Sequence, residues 1–324
     1  MGNTAPSPLA SPKILHWILY SLLASTTLVV TINSFDSGIA KTPLLALHAT
    51  LIVAVFTSQA IIRGRLEVRL SPADIPVLLL LLLIVISASY TQYTWHSQQA
   101  LAAWIPFIVC FFVGTQLFNT QADVSNLLRA LAVIGTVVCV VGFVQFFFAE
   151  ELIVEFFIGK ERRVTSTLTN AIYLSGYIVL LFPALLAYAA GKGRRPWERW
   201  WLGTLLGGFA FLLMATSTRG SLAAFVASLV LFGIMSRKQR SKPLIIAGAG
   251  VLLALAAALY LSPSLSQRIE RVFGQETTST LARRVYFWEA GYKAFRVAPL
   301  LGHGIGSYEV VMRDYRSPDY WIAK

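Results

Sequence analysis

Long apolar runs are the feature of this sequence that most limits its fold. Nine segments are long and apolar enough to cross the hydrocarbon layer of a membrane, which takes roughly 20 such residues in a helix. Only 13% of the residues are charged, about half the share that is usual in soluble domains. We therefore predict an all-α polytopic membrane protein, and a soluble enzyme, a disulfide scaffold and a disordered chain are excluded. The predicted spans are 14–32, 43–62, 74–90, 98–118, 126–148, 171–190, 200–216, 220–235 and 243–261.

The distribution of Lys and Arg predicts the orientation. With a cytoplasmic N-terminus, thirteen of these residues fall in inner connections and five in outer connections, and cytoplasmic connections are the ones enriched in Lys and Arg. Nine spans then place the region after Ser262 outside the cytoplasm. We expect a transmembrane helical domain at 1–261 and an extracytoplasmic segment at 262–324. Topology accounts for much of the net charge of +12, so nucleic-acid binding is not predicted.

Cysteine and histidine give no sign of a metal site or a disulfide. Cys110 and Cys139 both fall inside predicted spans, where small buried packing residues are the expected interpretation. No histidine has a partner at metal-ligand spacing, and no cofactor is predicted.

The first basic cluster on the predicted outer side is Arg162–Asn170, directly before the sixth span. Positive charge is disfavoured on this side, so Arg163 and its neighbour need another explanation. Asn170 is a favoured N-cap residue, and the free N–H groups of a helix N-terminus bind anions. The cluster is a candidate anion site; the alternative is a solvated loop in which nearby glutamates balance the arginines.

A second outer arginine lies in the tight turn Thr216–Ser221. Arg219 follows the hydroxyl residues Ser217 and Thr218 and has no carboxylate next to it. An arginine at the edge of a span is costly unless it is paired or hydrated. We favour an anion site here over the alternative, an arginine that snorkels to lipid phosphate.

The third cluster opens a predicted helix from Leu281 to about Val297. Arg284 lies beside a narrow apolar stripe, whereas Arg283 points to the opposite side, by the 3.6-residue period. We expect the stripe to pack against the membrane domain or the lipid surface, with Arg284 at the buried edge and Arg283 in water. The alternative is an ordinary interfacial helix. The stripe consists of Leu281, Val285, Trp288, Tyr292 and Phe295.

The helix is followed by a glycine-rich segment, Pro299–Tyr308, in which glycines alternate at two-residue spacing. This spacing is neither a dinucleotide fingerprint nor a P-loop, so a flexible turn is predicted. His303 is a candidate base or ligand, although a structural or solvated histidine is the more common case in a turn.

Taken together, arginines amid hydroxyl residues on one membrane face predict a receptor for phosphate. The guanidinium group donates two parallel charge-assisted hydrogen bonds, which suits phosphate oxygens. A membrane-embedded substrate that carries pyrophosphate on the outer side is a polyprenyl-linked sugar, and we infer this class by chemical fit.

Three stretches, in order, resemble the bacterial O-antigen ligases and the related polysaccharide polymerases. Val164–Pro183 is similar to a family segment that opens a span, and Ser217–Ser221 is similar to its Ser-Arg-Gly turn. Arg284–Trp288 followed by Pro299–Gly306 resembles the family's outer-loop signature. That signature is an arginine, a tryptophan four residues later, and then a Pro-Leu-x-Gly-x-Gly turn. The resemblance covers about the second half of the chain.

The resemblance implies a membrane glycosyltransferase of the bacterial inner membrane that moves a glycan from undecaprenyl pyrophosphate to an acceptor hydroxyl, without a nucleotide or an obligatory metal. The acceptor is the lipid A core in the ligases, and another lipid-linked unit or a protein side chain in the polymerases and their relatives. By position, Arg219 and Arg284 would hold the pyrophosphate. Possible supporting residues are Arg163, Asn170, Ser217, Thr218, Arg283 and His303.

The sequence departs from the family in one respect. Family members have an essential histidine further along the outer, periplasmic loop, followed by about three more spans, and the sequence stops at Lys324. We expect an N-terminal fragment in which the catalytic residue is unknown and donor binding exceeds catalysis.

Two functions of other classes remain open. A transporter or flippase would also use outward arginines, although such proteins often have paired repeats and broken helices. A non-catalytic scaffold would use the arginines only to touch lipid headgroups. The sequence does not name the glycan, choose the acceptor or give the oligomeric state.

Overall fold

The protein is all-helical wherever its structure is described. The computed structural model describes residues 13–30, 38–64, 68–69, 71–152, 163–191, 193–236, 277–300 and 302–317, and these ranges contain no strand. A short 3-10 turn at Ser166–Leu168 precedes α6. The helices are α1 (Lys13–Leu28), α2 (Gly38–Arg63), α3 (Asp74–Tyr90), α4 (Thr94–Leu117), α5 (Gln121–Leu152), α6 (Ala171–Ala190), α7 (Pro196–Ala215), α8 (Arg219–Ser236), α9 (Thr277–Val297) and α10 (Tyr308–Tyr315).

The helices α1–α8 coincide with the first eight predicted spans. The ends of α3 and α6 agree with the sequence prediction at both termini, whereas α1 ends at Leu28, before its predicted end. The ninth predicted span, 243–261, lies outside the described residues. Apolar side chains favour helices in lipid, because a helix satisfies its backbone hydrogen bonds internally. The predicted all-helical class is therefore confirmed for the described part of the chain.

Four of these helices are long and apolar enough to cross a membrane. They include the stretches Lys41–Ile62, Thr94–Leu117, Gln121–Phe148 and Ala171–Ala190, and two shorter apolar helices are Asp74–Tyr90 and Gly220–Met235. The chain is a membrane protein by this measure. The number of nine spans and their orientation stay predictions.

The described residues form two compact units. The first comprises those within Met1–Leu19, Thr42–Asn119 and Arg271–Lys324, and the second comprises those within Tyr20–Lys41 and Thr120–Glu270. The first unit therefore holds α3, α4, α9 and α10, and the second holds α5–α8.

The core of the second unit lies between α6 and α7. Fully buried side chains on α6 include Leu174 and Phe182, and those on α7 include Phe209 and Leu213. Phe225 of α8 closes the cluster, since its ring meets that of Phe182 edge to face with 4.8 Å between the ring centroids. The helical hairpin α6–α7 is therefore the centre around which α5 and α8 pack.

The helices α5 and α7 run in the same direction. Near their N-terminal ends, Arg129 of α5 forms an ion pair with Glu198 of α7. Further along, Gly142 of α5 lies against Leu212 of α7, so closely that a Cβ on Gly142 would stand 2.7 Å from Leu212 Cδ1. Residue numbers rise together along both helices, as parallel packing requires.

The helices α6 and α8 run together in the opposite direction. Ser175 Oγ and Ser221 Oγ are 2.7 Å apart near the start of both helices. The connections 191–195 and 216–218 are short and reverse the chain. Consequently the C-terminal ends of α5 and α7 meet the N-terminal ends of α6 and α8 at one end of the unit. We call this the hydroxyl end, and it is defined by residues 163–170 and 216–218.

Glycines on α7 provide a matched test of the close helix packing. A Cβ on Gly208 would lie 2.4 Å from the sulfur of Cys139 on α5, whereas a Cβ on Gly203 would meet nothing within 4 Å. We expect Gly208→Ala to lower the free energy of unfolding by about 1–3 kcal/mol, the usual cost of overpacking. Gly203→Ala should raise it by about 0.5–1 kcal/mol, because alanine is the better helix former. Thermal unfolding of both purified variants in detergent measures the difference, and equal effects at the two positions would contradict the packing.

Candidate functional site

The loop 163–170 is held in place by one buried glutamine of α5. Gln145 Oε1 accepts hydrogen bonds from the backbone N–H groups of Thr165, at 2.9 Å, and Ser166, at 2.8 Å. The Ser166 hydroxyl donates to the carbonyl oxygen of Val138, at 2.7 Å. Val164, Ser166 and Thr167 are buried. The alternative of a solvated loop is therefore wrong for this part of the segment.

The N-cap predicted at Asn170 is confirmed. Its side-chain oxygen Oδ1 accepts a hydrogen bond from the backbone N–H of Ile172, at 2.8 Å. This bond satisfies one of the free donors in the first turn of α6. A direct role for Asn170 in anion binding stays a prediction.

Lys41 lies at the hydroxyl end, and the sequence analysis did not select it. Its ammonium group Nζ donates to the backbone oxygen of Thr167, at 3.4 Å. The Thr167 hydroxyl is buried and has no hydrogen-bond partner among the described residues. Arg163, half-buried, opens the same loop. The available signal was that Lys41 is a basic residue in a predicted outer connection, as Arg163 is.

The turn 216–218 is built by its own hydroxyl groups. Thr216 is fully buried and its hydroxyl donates to the carbonyl oxygen of Leu213, at 2.7 Å. Thr218 Oγ1 lies 2.9 Å from Thr216 Oγ1, so the Thr218 hydroxyl donates to that oxygen. Ser217 has a positive φ of 52°. These contacts make Arg219 the first residue of α8; its side chain lies outside the described part of the structure.

The structure shows which side of α9 packs against protein. The side opposite the apolar stripe is the buried one, since Ala290 is 0% exposed and Ala294 is 6% exposed, and α9 packs against α10. The stripe itself is exposed to 50% or more at Val285, Trp288, Tyr292 and Phe295, so it does not pack against the described helices, and its contact with the lipid surface stays a prediction. The small alanine side chains allow α10 to approach closely on the packed side. Arg284 is exposed, and the side chain of Arg283 lies outside the described part.

The glycine-rich turn after α9 is docked on the corner between α3 and α4. The Thr91 hydroxyl donates to the backbone oxygen of His303, at 2.9 Å, and the Ser97 hydroxyl donates to that of Ile305, at 2.6 Å. Gly304 has a positive φ of 105°, and a Cβ there would stand 2.2 Å from Thr91 Oγ1. The turn is therefore fixed by contacts within the first unit, where the sequence predicted a flexible turn.

His303 has a structural contact in this turn. Its ring nitrogen Nε2 is 3.0 Å from the backbone oxygen of Ala294. A carbonyl oxygen only accepts, so Nε2 carries the proton in this hydrogen bond. That atom is engaged and does not act as a base in this arrangement, in agreement with the more common role of a turn histidine.

The two units divide the predicted site residues between them. The hydroxyl end of the second unit contains Lys41 together with five predicted site residues, Arg163, Asn170, Ser217, Thr218 and the first residue of α8, Arg219. The first unit holds Arg283, Arg284 and His303. Cys139 is buried against α7 with a free thiol, as predicted for a packing residue. No group of three metal-ligating side chains occurs in the described ranges.

Part of the chain matches a known family. Residues 202–323, less than half of the chain, match the family model Wzy_C, described as O-antigen ligase. This segment is O-antigen ligase-like. The ligase-like segment contains the Arg219 turn, the Arg284 helix and the glycine-rich turn, whereas the loop 163–170 precedes it. Members of the family are membrane glycosyltransferase-like enzymes. No curated protein and no solved structure matches the chain.

The glutamine that holds the loop 163–170 can be tested by two replacements of similar size. Gln145→Leu removes the acceptor of two backbone N–H groups, and each unsatisfied buried group costs about 1–3 kcal/mol. We expect faster amide hydrogen exchange at Thr165 and Ser166 in this variant. Gln145→Glu keeps an acceptor oxygen and should preserve the protection of both amides. If the two variants exchanged at the same rate, the glutamine would not be what orders the loop.

The docked turn is tested by a pair of glycines with positive φ. Gly302 has a φ of 67° and open space around its Cβ position, whereas Gly304 combines a positive φ with the contact to Thr91. Both alanine variants carry the backbone cost, on the order of 1 kcal/mol. Only Gly304→Ala should also release the turn, and we expect faster proteolysis between residues 298 and 308. Equal cleavage of Gly302→Ala and Gly304→Ala would rule out the docking contact.

Proposed function

We propose that the chain is part of a bacterial inner-membrane glycosyltransferase that transfers a glycan from undecaprenyl pyrophosphate to a hydroxyl of the lipid A core. The observation that carries this proposal is the match of residues 202–323 to the O-antigen ligase family. That stretch includes both Arg219 and Arg284, the two residues that we assign to the donor pyrophosphate. The proposed transfer from this donor uses no nucleotide.

The hydroxyl end supports a donor site in the second unit. Two helix N-termini, those of α6 and α8, point their free N–H groups to this end, where anions are favoured. Lys41 adds a cation that the Thr167 carbonyl holds in place, and Arg163 lies in the same loop. Lysine acts as a point charge and arginine as a bidentate donor, so Arg219 would grip the phosphate oxygens while Lys41 adds to the positive field.

The supporting residues fall into two groups, according to whether their polar atoms already make a structural hydrogen bond. Thr218 and His303 each have a structural hydrogen bond, so we assign them to shaping the site. Ser217 and Arg283 remain proposed supporting contacts, as does Arg163.

In the proposed reaction, the acceptor hydroxyl oxygen forms a bond to the anomeric carbon of the glycan. The bond from that carbon to the pyrophosphate oxygen breaks, and the lipid pyrophosphate leaves with the electron pair. Arg219 and Arg284 stabilise the developing negative charge, an electrostatic contribution that is strongest where water is excluded. The hydroxyl proton passes to a base, for which we assign no residue among those described.

The proposed reaction requires the orientation that the basic residues predict, with a cytoplasmic N-terminus. Nine spans with a cytoplasmic N-terminus would direct the hydroxyl end and the segment 262–324 to the periplasm, where the lipid A core is met. The Arg129–Glu198 pair at the opposite end of the second unit would then face the cytoplasm.

Donor binding gives the direct test. The purified chain in nanodiscs is titrated with radiolabelled undecaprenyl pyrophosphate. Hydrogen bonds to charged groups are worth about 1.5–3 kcal/mol, so Arg219→Ala and Arg284→Ala should each weaken binding by roughly tenfold or more. Arg219→Lys should also bind the donor less tightly than the parent chain, because lysine cannot donate the two parallel hydrogen bonds of a guanidinium group. Lys41→Ala should cause a smaller loss, as expected for a single point charge.

The matched control is Arg199→Ala, at the end of the second unit opposite to the hydroxyl end. Its binding should equal that of the parent chain. If all arginine variants bound equally well, the scaffold function would replace the transferase. If the chain carried the labelled lipid across proteoliposome membranes, a flippase would be the better description.

The acceptor is tested separately in the native bacterium. Arg284→Ala, introduced in the native gene, should remove glycan from the lipid A core at an unchanged protein level. Loss of a free polymer or of protein-linked glycan, with intact lipopolysaccharide, would instead favour the polymerase or the protein glycosyltransferase of the same family.

A further inference from the structure

The helix α9 exposes a continuous apolar face. The exposed fractions are 50% for Val285, 69% for Trp288, 62% for Tyr292 and 57% for Phe295. Since a large aromatic side chain carries about 150–250 Å², these four side chains leave roughly 400 Å² of apolar surface uncovered. A patch of this size marks a site that contacts a partner or a membrane.

The side of α9 opposite the apolar face is already packed against protein. Ala290 and Ala294 are buried on this side, where α10 packs. The Tyr308 hydroxyl at the start of α10 donates to the backbone oxygen of Phe287, at 3.1 Å. The packed side of α9 is therefore occupied, and the apolar face is directed away from it.

The first unit also fixes the position of the C-terminal end of α9. The turn after α9 is bound to Thr91 and Ser97 at the corner between α3 and α4. This corner joins an apolar helix to one long enough to span a membrane. Tyr90 and Trp95 are 40% and 66% exposed here, and such aromatic side chains favour the membrane–water interface. The C-terminal end of α9 is thus held beside exposed aromatic side chains of the kind that favour an interface.

The charges of α9 suit lipid headgroups. Arg284 and Arg296 border the apolar face on its two sides, at 100° per residue, and both are exposed. The acidic residue Glu289 is neutralised by Lys293, whose Nζ lies 2.6 Å from the carboxylate. Aromatic residues on one face with basic side chains at its borders suit contact with the headgroups of an anionic membrane.

We propose that α9 is an interfacial helix whose apolar face enters the outer leaflet of the membrane that α4 spans. The occupant of the face is lipid, and Arg284 lies at the level of the lipid phosphates. This placement holds the arginine at the depth at which a lipid-borne phosphate group occurs. It requires no assumption about the glycan or the acceptor.

Spin labels on the full chain test the proposal. Trp288→Cys and Tyr292→Cys carry the label on the apolar face, and Glu309→Cys on the exposed side of α10 is the control. All three are made in a background with Cys110→Ala and Cys139→Ala. The protein is placed in nanodiscs of phosphatidylethanolamine and phosphatidylglycerol. Collision rates are measured with oxygen, which concentrates in lipid, and with a water-soluble nickel chelate.

We expect a higher ratio of oxygen to nickel collisions at positions 288 and 292 than at 309. The same ratio at all three positions would place the face in water and overturn the proposal. An immobile label that meets neither reagent would place the face against protein, either the rest of the chain or a second copy, and would overturn it too.

A second measurement uses the native side chain and avoids cysteine variants. Trp288→Phe removes the emission of one tryptophan, and the difference between the parent and variant spectra belongs to Trp288. In nanodiscs with lipid brominated near the headgroup, this difference should decrease strongly relative to nanodiscs without bromine. An unchanged difference would contradict insertion, even if the labelled variants were misfolded.

Discussion

The architecture of the second unit depends on how closely α5 and α7 approach each other. Lipid tails are as apolar as leucine, so helices in a membrane associate through close van der Waals contact more than through the hydrophobic effect. Gly142 and Gly208 remove the Cβ atoms that would keep these two helices apart. Because α5 and α7 then lie parallel, the intervening α6 and the following α8 must return in the opposite direction. Two segments far apart in the sequence, 163–170 and 216–218, are thereby brought to the same end of the unit.

Much of the helical structure could be predicted from the sequence, because lipid leaves few options to an apolar segment. The limits of α3 and α6 agree with the apolar runs to the residue. The side of α9 that is buried could not be predicted in the same way. Periodicity correctly identifies the apolar face, but it does not say whether protein or lipid covers that face. In this helix the small residues, Ala290 and Ala294, mark the packed side, as they do in many membrane proteins.

The candidate site was predictable where charge conflicts with topology and unpredictable where a polar side chain has a structural role. Arg219 and Arg284 stand out because they are basic residues on the predicted outer side. Gln145 gave a weaker signal, an amide near the end of the apolar run of α5, and only the structure reveals that it holds two backbone amides of the loop. Lys41 was counted for orientation, and its proximity to Thr167 depends on tertiary structure. Thr218, conversely, was predicted as a supporting ligand, and its hydroxyl donates to Thr216 within the turn.

The hydrogen bond between Thr91 and His303 joins residues 212 positions apart in the sequence. Closing so long a loop adds little to the entropic cost, which grows only with the logarithm of its length, but contacts of this range form slowly. A ribosome releases the α3–α4 corner long before it releases the glycine-rich turn. The corner must therefore remain without this partner while more than 200 further residues are made, with Thr91 and Ser97 lacking their acceptors until then. Assembly of the first unit can thus be completed only after the helices α5–α8 of the second unit have been synthesised.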